Sequence, residues 1–530
     1  MNFTRKLRGS NRKEIKVLFS TMSVFLASCL ICSLNTVAGE GSGVRIYGKN
    51  PWYWQYKDEP VLLIGGTDDD NVFNWPHEKM IQHMDVLASV GGNYDRCTMS
   101  SRLDNGLEIK PYLKLDNGKY DLNQPNPEFW ERFENYLTAA EERGIIVQIE
   151  VWATYDMPRS DYPFNPDANI NYNAHPETML RVADGKNGKA LDIKIHGAQD
   201  IDFYHTIPDL SNDRVVLPYQ QAFVDRILSI SLKFDNVLYT IDNEYSAYQP
   251  YQWGHYWAGY IRDKASKLDK RVYITEMNIY DWNLGGPLKQ NKPLSDDARD
   301  RLGDGTSYMF NRNHRAVFDH PEIYDFVDIS DNADQKTEEH AKNLQDVRSY
   351  LESKPRPINH DKIYGADFGI KATTKEGINM FWRNVLGGAA SCRFHRPPTG
   401  LGLSNLAQAN IRAVRKFVEY VKPWECEPAP HLLKNCEENE AYLIANPGKA
   451  YGLYFTDFGG DGWVKINFQN YREMFLLRWI NVQTGEWHGE PVSFASGGSE
   501  GTVIQMPFSG SNYGWAAAIV SLNQPGNPHR

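Results

Sequence analysis

Between about residues 45 and 425, short β-rich runs alternate with longer stretches of helical period, and this alternation constrains the fold more than any other feature of the 530-residue chain. The β-rich runs are Val61–Gly65, Gly92–Cys97, Ile145–Val151, Val237–Asp242, Val272–Met277, Phe326–Ser330, Pro357–Tyr364 and Ala389–Phe394. Amphipathic stretches separate them. In Pro127–Arg143, Phe129, Phe133, Tyr136 and Leu137 share one face, and Pro218–Leu232 has the same period. Parallel strands need such crossovers. Eight repeats in about 380 residues predict an α/β fold, a closed (β/α)8 TIM barrel rather than an open doubly wound sheet. The long insert between Val151 and Val237, rich in Asn, Asp, Pro and His, reads as a loop elaborated over the third strand.

Beyond Pro423 the helical period stops. Tyr442–Ala445, Gly452–Phe455, Val464–Phe468, Phe475–Asn481 and Gly514–Val520 are short β-runs with turns such as Pro447-Gly448 and Gly459-Gly460-Asp461-Gly462 between them. The expected division is therefore a barrel over 45–425 and a small antiparallel β-sandwich over 427–525, its inner face formed by Leu443, Leu453, Phe455 and Trp479.

Arg5, Lys6, Arg8, Arg12, Lys13 and Lys16 precede the apolar run Val17–Leu34, and Thr36-Val37-Ala38 offers small residues for cleavage. Residues 1–38 are thus expected to be a signal peptide, and the mature protein secreted or periplasmic with no membrane span. Leu26-Ala27-Ser28-Cys29 also resembles a lipoprotein box, which would anchor the protein through Cys29. The formal charge is −10, and removing the basic leader leaves a more acidic chain, opposite to the basic footprint that nucleic-acid binding needs. Cys97, Cys392, Cys426 and Cys436 lack zinc-site spacing, so no metal is expected; Cys426 and Cys436 could pair as a disulfide or stay as thiols.

In a barrel the reacting groups stand at the carboxyl ends of the strands. Those ends read Gly65-Gly66-Thr67-Asp68-Asp69-Asp70, Asn93-Tyr94-Asp95-Arg96, Gln148-Ile149-Glu150-Val151-Trp152, Ile241-Asp242-Asn243-Glu244, Ile274-Thr275-Glu276-Met277-Asn278, Asp328-Ile329-Ser330-Asp331-Asn332, Asn359-His360-Asp361 and Arg393-Phe394-His395-Arg396. Phosphate loop, serine elbow and dinucleotide fingerprint are all missing, and no cofactor is expected. Carboxylates, amides and aromatics suit glycoside hydrolysis, in which one carboxyl group protonates the leaving oxygen and a second attacks the anomeric carbon or activates water. Asn243-Glu244 is the strongest signal, because a β-run delivers it to a strand end.

Asn243-Glu244 after the fourth strand resembles the acid/base motif of the clan of (β/α)8 glycosidases that includes cellulases, β-galactosidases and apiosidase-like proteins. Trp52-Tyr53-Trp54, Leu63-Ile64-Gly65-Gly66-Thr67-Asp68-Asp69-Asp70, Gly91-Gly92-Asn93-Tyr94, Trp382-Arg383-Asn384, Phe394-His395-Arg396-Pro397, Leu477-Arg478-Trp479 and Gln483-Thr484-Gly485-Glu486 look like one subgroup of it. These are secreted barrels that carry a terminal domain labelled collagen-binding. The resemblance spans nearly the whole mature chain and implies a retaining glycoside hydrolase acting on a polysaccharide or oligosaccharide, with Glu244 as acid/base. It also implies a nucleophilic Glu after the seventh strand, where this sequence has Asn359-His360-Asp361-Lys362. Asp361 could substitute. Glu276 is the rival and is preferred marginally, because Lys362 offers Asp361 a surface ion pair.

For substrate binding the candidates are Asp69, Asp70, Arg96, Glu150, Trp152, Asn243, His395 and Arg396: acids and amides for hydroxyl groups, Trp152 for stacking, and Arg96, His395 and Arg396 for an anionic or sulfated sugar. Two alternatives stand beside hydrolysis. One is a non-catalytic carbohydrate-binding or adhesion protein on a barrel scaffold; the other is a polysaccharide lyase using Tyr94, His395 and Arg96.

Overall fold

The computed structural model describes residues 43–523 apart from 101, 103–104, 158, 173–201, 247–248, 280–308, 368–371, 457–461 and 508–510. The leader expected over 1–38, Cys29 included, lies outside the described residues, as does part of the long third-strand loop. Among the described residues no helix is long and apolar enough to cross a membrane.

Each of the eight β-rich runs holds one strand: β1 (Leu63–Gly66), β2 (Tyr94–Thr98), β3 (Ile146–Ala153), β4 (Val237–Asn243), β5 (Ile274–Thr275), β6 (Val327–Asp328), β7 (Ile358–Asn359) and β8 (Ser391–Phe394). Parallel ladders join β2 to β3, β3 to β4, β4 to β5, β6 to β7 and β8 to β1. Backbone bonds bridge the remaining gaps. Asn93 N–H donates to Ile64 O at 3.0 Å, Asp325 N–H to Ile274 O at 2.9 Å and Ala390 N–H to Ile358 O at 2.7 Å, so the ring closes.

A helix follows each strand: α1 (His77–Ser89), α2 (Pro127–Glu142), α3 (Leu217–Ser231), α4 (Gln252–Ser266), α5 (Arg312–Phe318), α6 (Thr337–Tyr350), α7 (Thr374–Gly387) and α8 (Asn405–Tyr420). Local chemistry sets their ends. Asn126 caps α2 by accepting from Glu128 N–H ahead of Pro127, Thr373 caps α7, and Gly388 ends α7 in the left-handed region at φ 82°.

The ring's interior is layered. At the bottom, Leu63, Tyr94, Ile146, Leu238, Tyr273, Phe326 and Ala390 pack around Trp54, which comes from an antiparallel hairpin ahead of β1. Above lies a polar layer centred on Gln148, whose amide accepts from the Tyr94 hydroxyl at 2.6 Å and donates to Asp328 and Asp361 at 2.9 Å each. Strand period explains the switch: Ile146, Gln148 and Glu150 point inward, while Val147, Ile149 and Val151 join the apolar shell under the helices.

Among the described residues the tail forms nine strands: β9 (Glu427–Pro428), β10 (Leu433–Lys434), β11 (Ala441–Asn446), β12 (Ala450–Phe455), β13 (Trp463–Ile466), β14 (Met474–Asn481), β15 (Glu486–Ala495), β16 (Thr502–Gln505) and β17 (Trp515–Ser521). They make a six-stranded sheet of order β9-β11-β12-β17-β14-β15 and a three-stranded sheet of order β10-β13-β16. Between the sheets lie Leu443, Tyr451, Leu453, Phe455, Val464, Ile466, Phe475, Ile504 and Ile519, with Trp479 partly buried against them. Alternate residues of the larger sheet, among them Ala450, Tyr454, Ile480, Ala516 and Ala518, face the barrel helices instead. Tyr454 stacks on Trp382 of α7, rings 5.4 Å apart at 9°, and a Cβ at Gly452 would stand 2.3 Å from the ring of Phe417 on α8. The change of texture at 425 marks a change of element type, while packing runs across it and Val44–Arg530 is one compact unit. Cys97, Cys392, Cys426 and Cys436 are all free thiols.

Candidate active site

At the carboxyl ends of the strands a cavity of about 220 Å³ is lined by Asp70, Arg96, Arg102, Tyr155, Asn243, Glu244, Met277, Ser330, Asp331, Asp334, Lys362, Tyr364, His395, Arg396 and Thr399. It is small beside ligand pockets of ~300–1,000 Å³ and suits a single ring at its base.

Glu244 follows β4 with φ 66°, a left-handed backbone that a non-glycine residue adopts only under local compulsion. This turn brings its side chain into the cavity, where it meets two groups. The Lys362 ammonium forms an ion pair with the carboxylate, and the Tyr155 hydroxyl hydrogen-bonds to it. Lys362 also donates to Asn243 Oδ1 at 2.7 Å, so Asn243 and Glu244 hold one ammonium between them. With 3% of its side chain exposed, Lys362 is no surface group. The surface ion pair with Asp361 expected from the sequence is therefore corrected: past the end of β7, Lys362 turns into the cavity and pairs with Glu244, while Asp361 is engaged by Ser330 and Gln148.

Asp361 turns the other way. Its carboxylate accepts from Ser330 Oγ at 2.9 Å and Gln148 Nε2 at 2.9 Å and lies 3.7 Å from Arg96, inside the barrel beneath the cavity floor. Glu276 is also outside the cavity. Its Oε1 accepts from Asp242 N–H at 2.8 Å and Met277 N–H at 3.2 Å, and its Oε2 lies 2.9 Å from where a Cβ on Gly254 would stand, which aims it at α4. Burial, and next the nearby Asp242, push the Glu276 carboxyl well above its usual range. Neither nucleophile candidate lines the cavity. Asp331 and Asp334, in the 3₁₀ turn after β6, do. Asp331 is 9% exposed and shares the cavity lining with Glu244 and Tyr155.

The three consecutive aspartates diverge. Asp68 Oδ1 accepts from Leu403 N–H at 2.7 Å; Asp69 accepts from Trp75 Nε1 at 2.7 Å and Asn71 N–H at 3.1 Å and holds its own loop, away from the cavity. Asp70 alone reaches the cavity. Its Oδ1 takes an Nη2 of Arg96, and its Oδ2 accepts from Arg102 Nη2 at 2.9 Å and Arg396 Nε at 2.8 Å, with His395 Nδ1 3.7 Å away. Burial alone would raise its pKa, but Arg96 above all, then His395, Arg396 and Arg102, hold it well below the usual carboxylate range.

Glu150 sits just beneath Arg96, 3.5 Å from Nη1, with its other oxygen accepting from Thr98 Oγ1. Burial pushes its pKa up to about 7 against the pull of Arg96. Trp152 does not reach the cavity. It packs outward against Phe164, Phe203, Phe223, Trp253 and Trp257, so the stacking role expected of it is corrected to core packing. Tyr94, the base of the lyase alternative, is bound to Gln148 below the floor.

Of the residues expected at the site, Asp70, Arg96, Asn243, Glu244, His395 and Arg396 come together; Asp69, Glu150, Trp152, Glu276 and Asp361 do not line the cavity. Lys362, Tyr155, Tyr364, Arg102, Asp331 and Asp334 were missed as candidates. Strand-end position was the signal available for Asp331 and Lys362. Tyr155 and Arg102 stand in loops whose course the sequence does not reveal.

No protein-family model matches this sequence, and no curated protein matches it. Solved structures share its fold. A glycoside hydrolase family 5 protein from Bacteroides vulgatus ATCC 8482 is 11% identical, with 90% of this chain and 93% of that one covered at a TM-score of 0.57. A second glycoside hydrolase is 10% identical over 91% and 98%, with a TM-score of 0.56. Both likenesses run through barrel and tail together.

Proposed function

We propose that the protein is an exported O-glycoside hydrolase acting on a polysaccharide or oligosaccharide, with Glu244 as acid/base and Asp331 as the second carboxyl group. The observation that carries this reading is the Glu244 carboxylate, turned into the cavity at the end of β4 by a left-handed backbone and held there by Lys362 and Tyr155. The fold it shares with glycoside hydrolases supports it, and the basic, apolar amino terminus supports export. Substrate would place its glycosidic oxygen against Glu244. Proton transfer to that oxygen breaks its bond to the anomeric carbon while Asp331 bonds to the carbon's other face; in the second step Glu244 takes a proton from water, whose oxygen bonds to the anomeric carbon as the bond to Asp331 breaks. Anomeric retention, expected from the resemblance, then rests on Asp331, because Asp331 lines the cavity and Asp361 and Glu276 do not.

A second reading is a barrel that binds glycans without cleaving them, and one observation favours it: an ammonium, Lys362, stands beside Glu244 after β7. Incubation with plant and algal polysaccharides, read by reducing ends, separates the two. Turnover that falls about 10²–10⁴-fold in Glu244→Gln supports hydrolysis with this acid/base. Binding without release of reducing ends, in the wild type and in Glu244→Gln alike, supports the second reading. Proton NMR of the first-formed anomer reads retention, and full activity in Asp331→Asn would remove Asp331 from the mechanism.

A further inference from the structure

Pairing between β4 and β5 breaks off and resumes out of step. Tyr239 and Thr240 pair with Ile274 and Thr275, and pairing begins again at Tyr245 with Asn278. Residues 241–244 of one chain segment thus stand opposite residues 276 and 277 of the other, a bulge that ends on Glu244 at φ 66°. Bulges re-aim side chains, and this one re-aims the carboxyl group that enters the cavity. Such a turn keeps one shape only if its backbone is tied. Glu276 supplies the tie. Its Oε1 accepts from Asp242 N–H at 2.8 Å on the bulged segment and from Met277 N–H at 3.2 Å on its own, so one oxygen joins the two segments where their ladder is interrupted. The chain is anchored on either side of Glu244. Asp242 Oδ1 also accepts from Thr154 N–H and Thr154 Oγ1 at 3.0 Å each, one residue before the Tyr155 that bonds Glu244, and Tyr245 N–H donates to Met277 O at 2.8 Å. Glu276 has little room to swing away. It is 2% exposed, and a Cβ on Gly254 of α4 would stand 2.9 Å from its Oε2 and 2.5 Å from the Tyr324 hydroxyl, so a glycine is what lets the helix come this close.

We propose that Glu276 is a positioning residue for Glu244: its carboxyl group stands in for backbone pairing at the bulge and so fixes the left-handed turn that aims Glu244 into the cavity. The inference rests on the reading of Glu244 as acid/base, and it gives Glu276 a role other than the nucleophilic attack expected from the sequence. Glu276 acts here as a hydrogen-bond acceptor rather than as a charge, because burial first, and next Asp242, push its pKa well above the usual range. Gln keeps that acceptor, whereas Met keeps the length of the side chain without it.

The test compares Glu276→Gln with Glu276→Met in the whole protein by two readouts. Amide hydrogen exchange followed by mass spectrometry reads the turn without turnover. Peptides covering residues 241–245 should exchange about tenfold or more faster in Glu276→Met and near the wild-type rate in Glu276→Gln, while peptides from β12 in the tail stay unchanged in both. Kinetics read the reaction, on whichever polysaccharide the wild type cleaves and on the 2,4-dinitrophenyl glycoside of its sugar. In Glu276→Met, kcat on the polysaccharide should fall about tenfold or more with KM within about twofold, and the dinitrophenyl glycoside, whose leaving group needs little protonation, should lose far less. Glu276→Gln should restore kcat to within about threefold of the wild type. Unchanged exchange in Glu276→Met, or a loss of equal size on both substrates, overturns the proposal. An inactive Glu276→Gln overturns it too and returns Glu276 to the role of nucleophile, since an amide accepts hydrogen bonds but does not attack. If Glu276→Met does not fold, Glu276→Asp, whose carboxyl group is drawn back by one carbon, takes its place with the same expectations. Full turnover in Glu244→Gln, or a wild type that releases no reducing ends, sinks the acid/base reading instead, and hydrogen exchange alone then decides whether Glu276 holds the turn.

Discussion

An ammonium held against a carboxylate favours the ionised form, commonly by ~1–3 pKa units, and Lys362 lies against Glu244 with almost none of its side chain in water. Because Lys362 competes with a proton for this carboxylate, the work of Glu244 as an acid depends on how readily Lys362 yields. Lys362→Met should therefore raise the Glu244 pKa and move the alkaline limb of kcat/KM on an activated aryl glycoside upward by about one pH unit or more. An unmoved limb would mean that Glu244 is not the group whose proton is used. Glu244 was legible in the sequence because β-propensity and the Asn-Glu pair both point to a strand end. Its partner was not, because Asp361 and Lys362 follow the end of β7, where strand alternation no longer tells which side chain enters the cavity. Trp152 misled for the same reason: an aromatic at a strand end looks alike whether it stacks on a sugar or, as here, on Phe223 and Trp253.

The six-stranded sheet of the tail is covered on both sides, by its three-stranded companion and by α7 and α8. Period-two runs announced four of its strands, but the two edge strands were missed: β9 (Glu427–Pro428) is only two residues long, and β15 (Glu486–Ala495) is largely exposed and carries Glu, His and Gly where a buried strand would carry apolar residues. Sequence also gave no sign that Tyr454 faces the barrel: a tyrosine between Leu453 and Phe455 on a strand reads as solvent-facing. Instead it stacks on Trp382 and donates to Asn379 Oδ1 at 2.6 Å, while Arg383 beside them bonds Glu376, Asn439 and Tyr442. Removing the ring of Tyr454 would leave a cavity between tail and barrel, and Tyr454→Ala should cost about 3–5 kcal/mol, in line with buried aromatic truncations. Chemical denaturation should show one transition in the wild type, followed in parallel by probes of barrel and tail. Two well-separated wild-type transitions would make the tail an independent domain. Because α7 leads into β8 and thence to His395 and Arg396, loosening this contact should also disturb the part of the cavity lining that they form.

Across the whole molecule, the buried acids divide into two classes with opposite dependence on pH. Burial raises Glu150 to about 7 and Asp328, which Asp361 also repels, to about 8; Asp242 and Glu276 are pushed well above their usual range, again by burial first. For these groups the native chain holds protons that the unfolded chain has already released, so their contribution to stability falls as pH rises from the unfolded carboxylate range, near 4, through about 7–8. Asp70 behaves in the opposite sense. Its pKa is held well below the usual value by the arginines around it, so the stability it contributes is present above the unfolded pKa and is lost as pH falls toward the folded one. Thermal unfolding should therefore give the highest Tm near about pH 4, with a decline from there toward pH 8 steeper than a surface-charged protein of this size would show. Asp328→Asn removes one titrating group from the polar layer, and it also removes one acceptor oxygen, since Gln148 donates to Oδ2 and Ser330 N–H to Oδ1. The variant should thus be less stable at acid pH yet lose less Tm between about pH 5 and 8 than the wild type does. A wild-type Tm that rises over that interval, or an Asp328→Asn decline as steep as the parent's, would mean that the barrel interior is not where the protein's alkaline sensitivity resides.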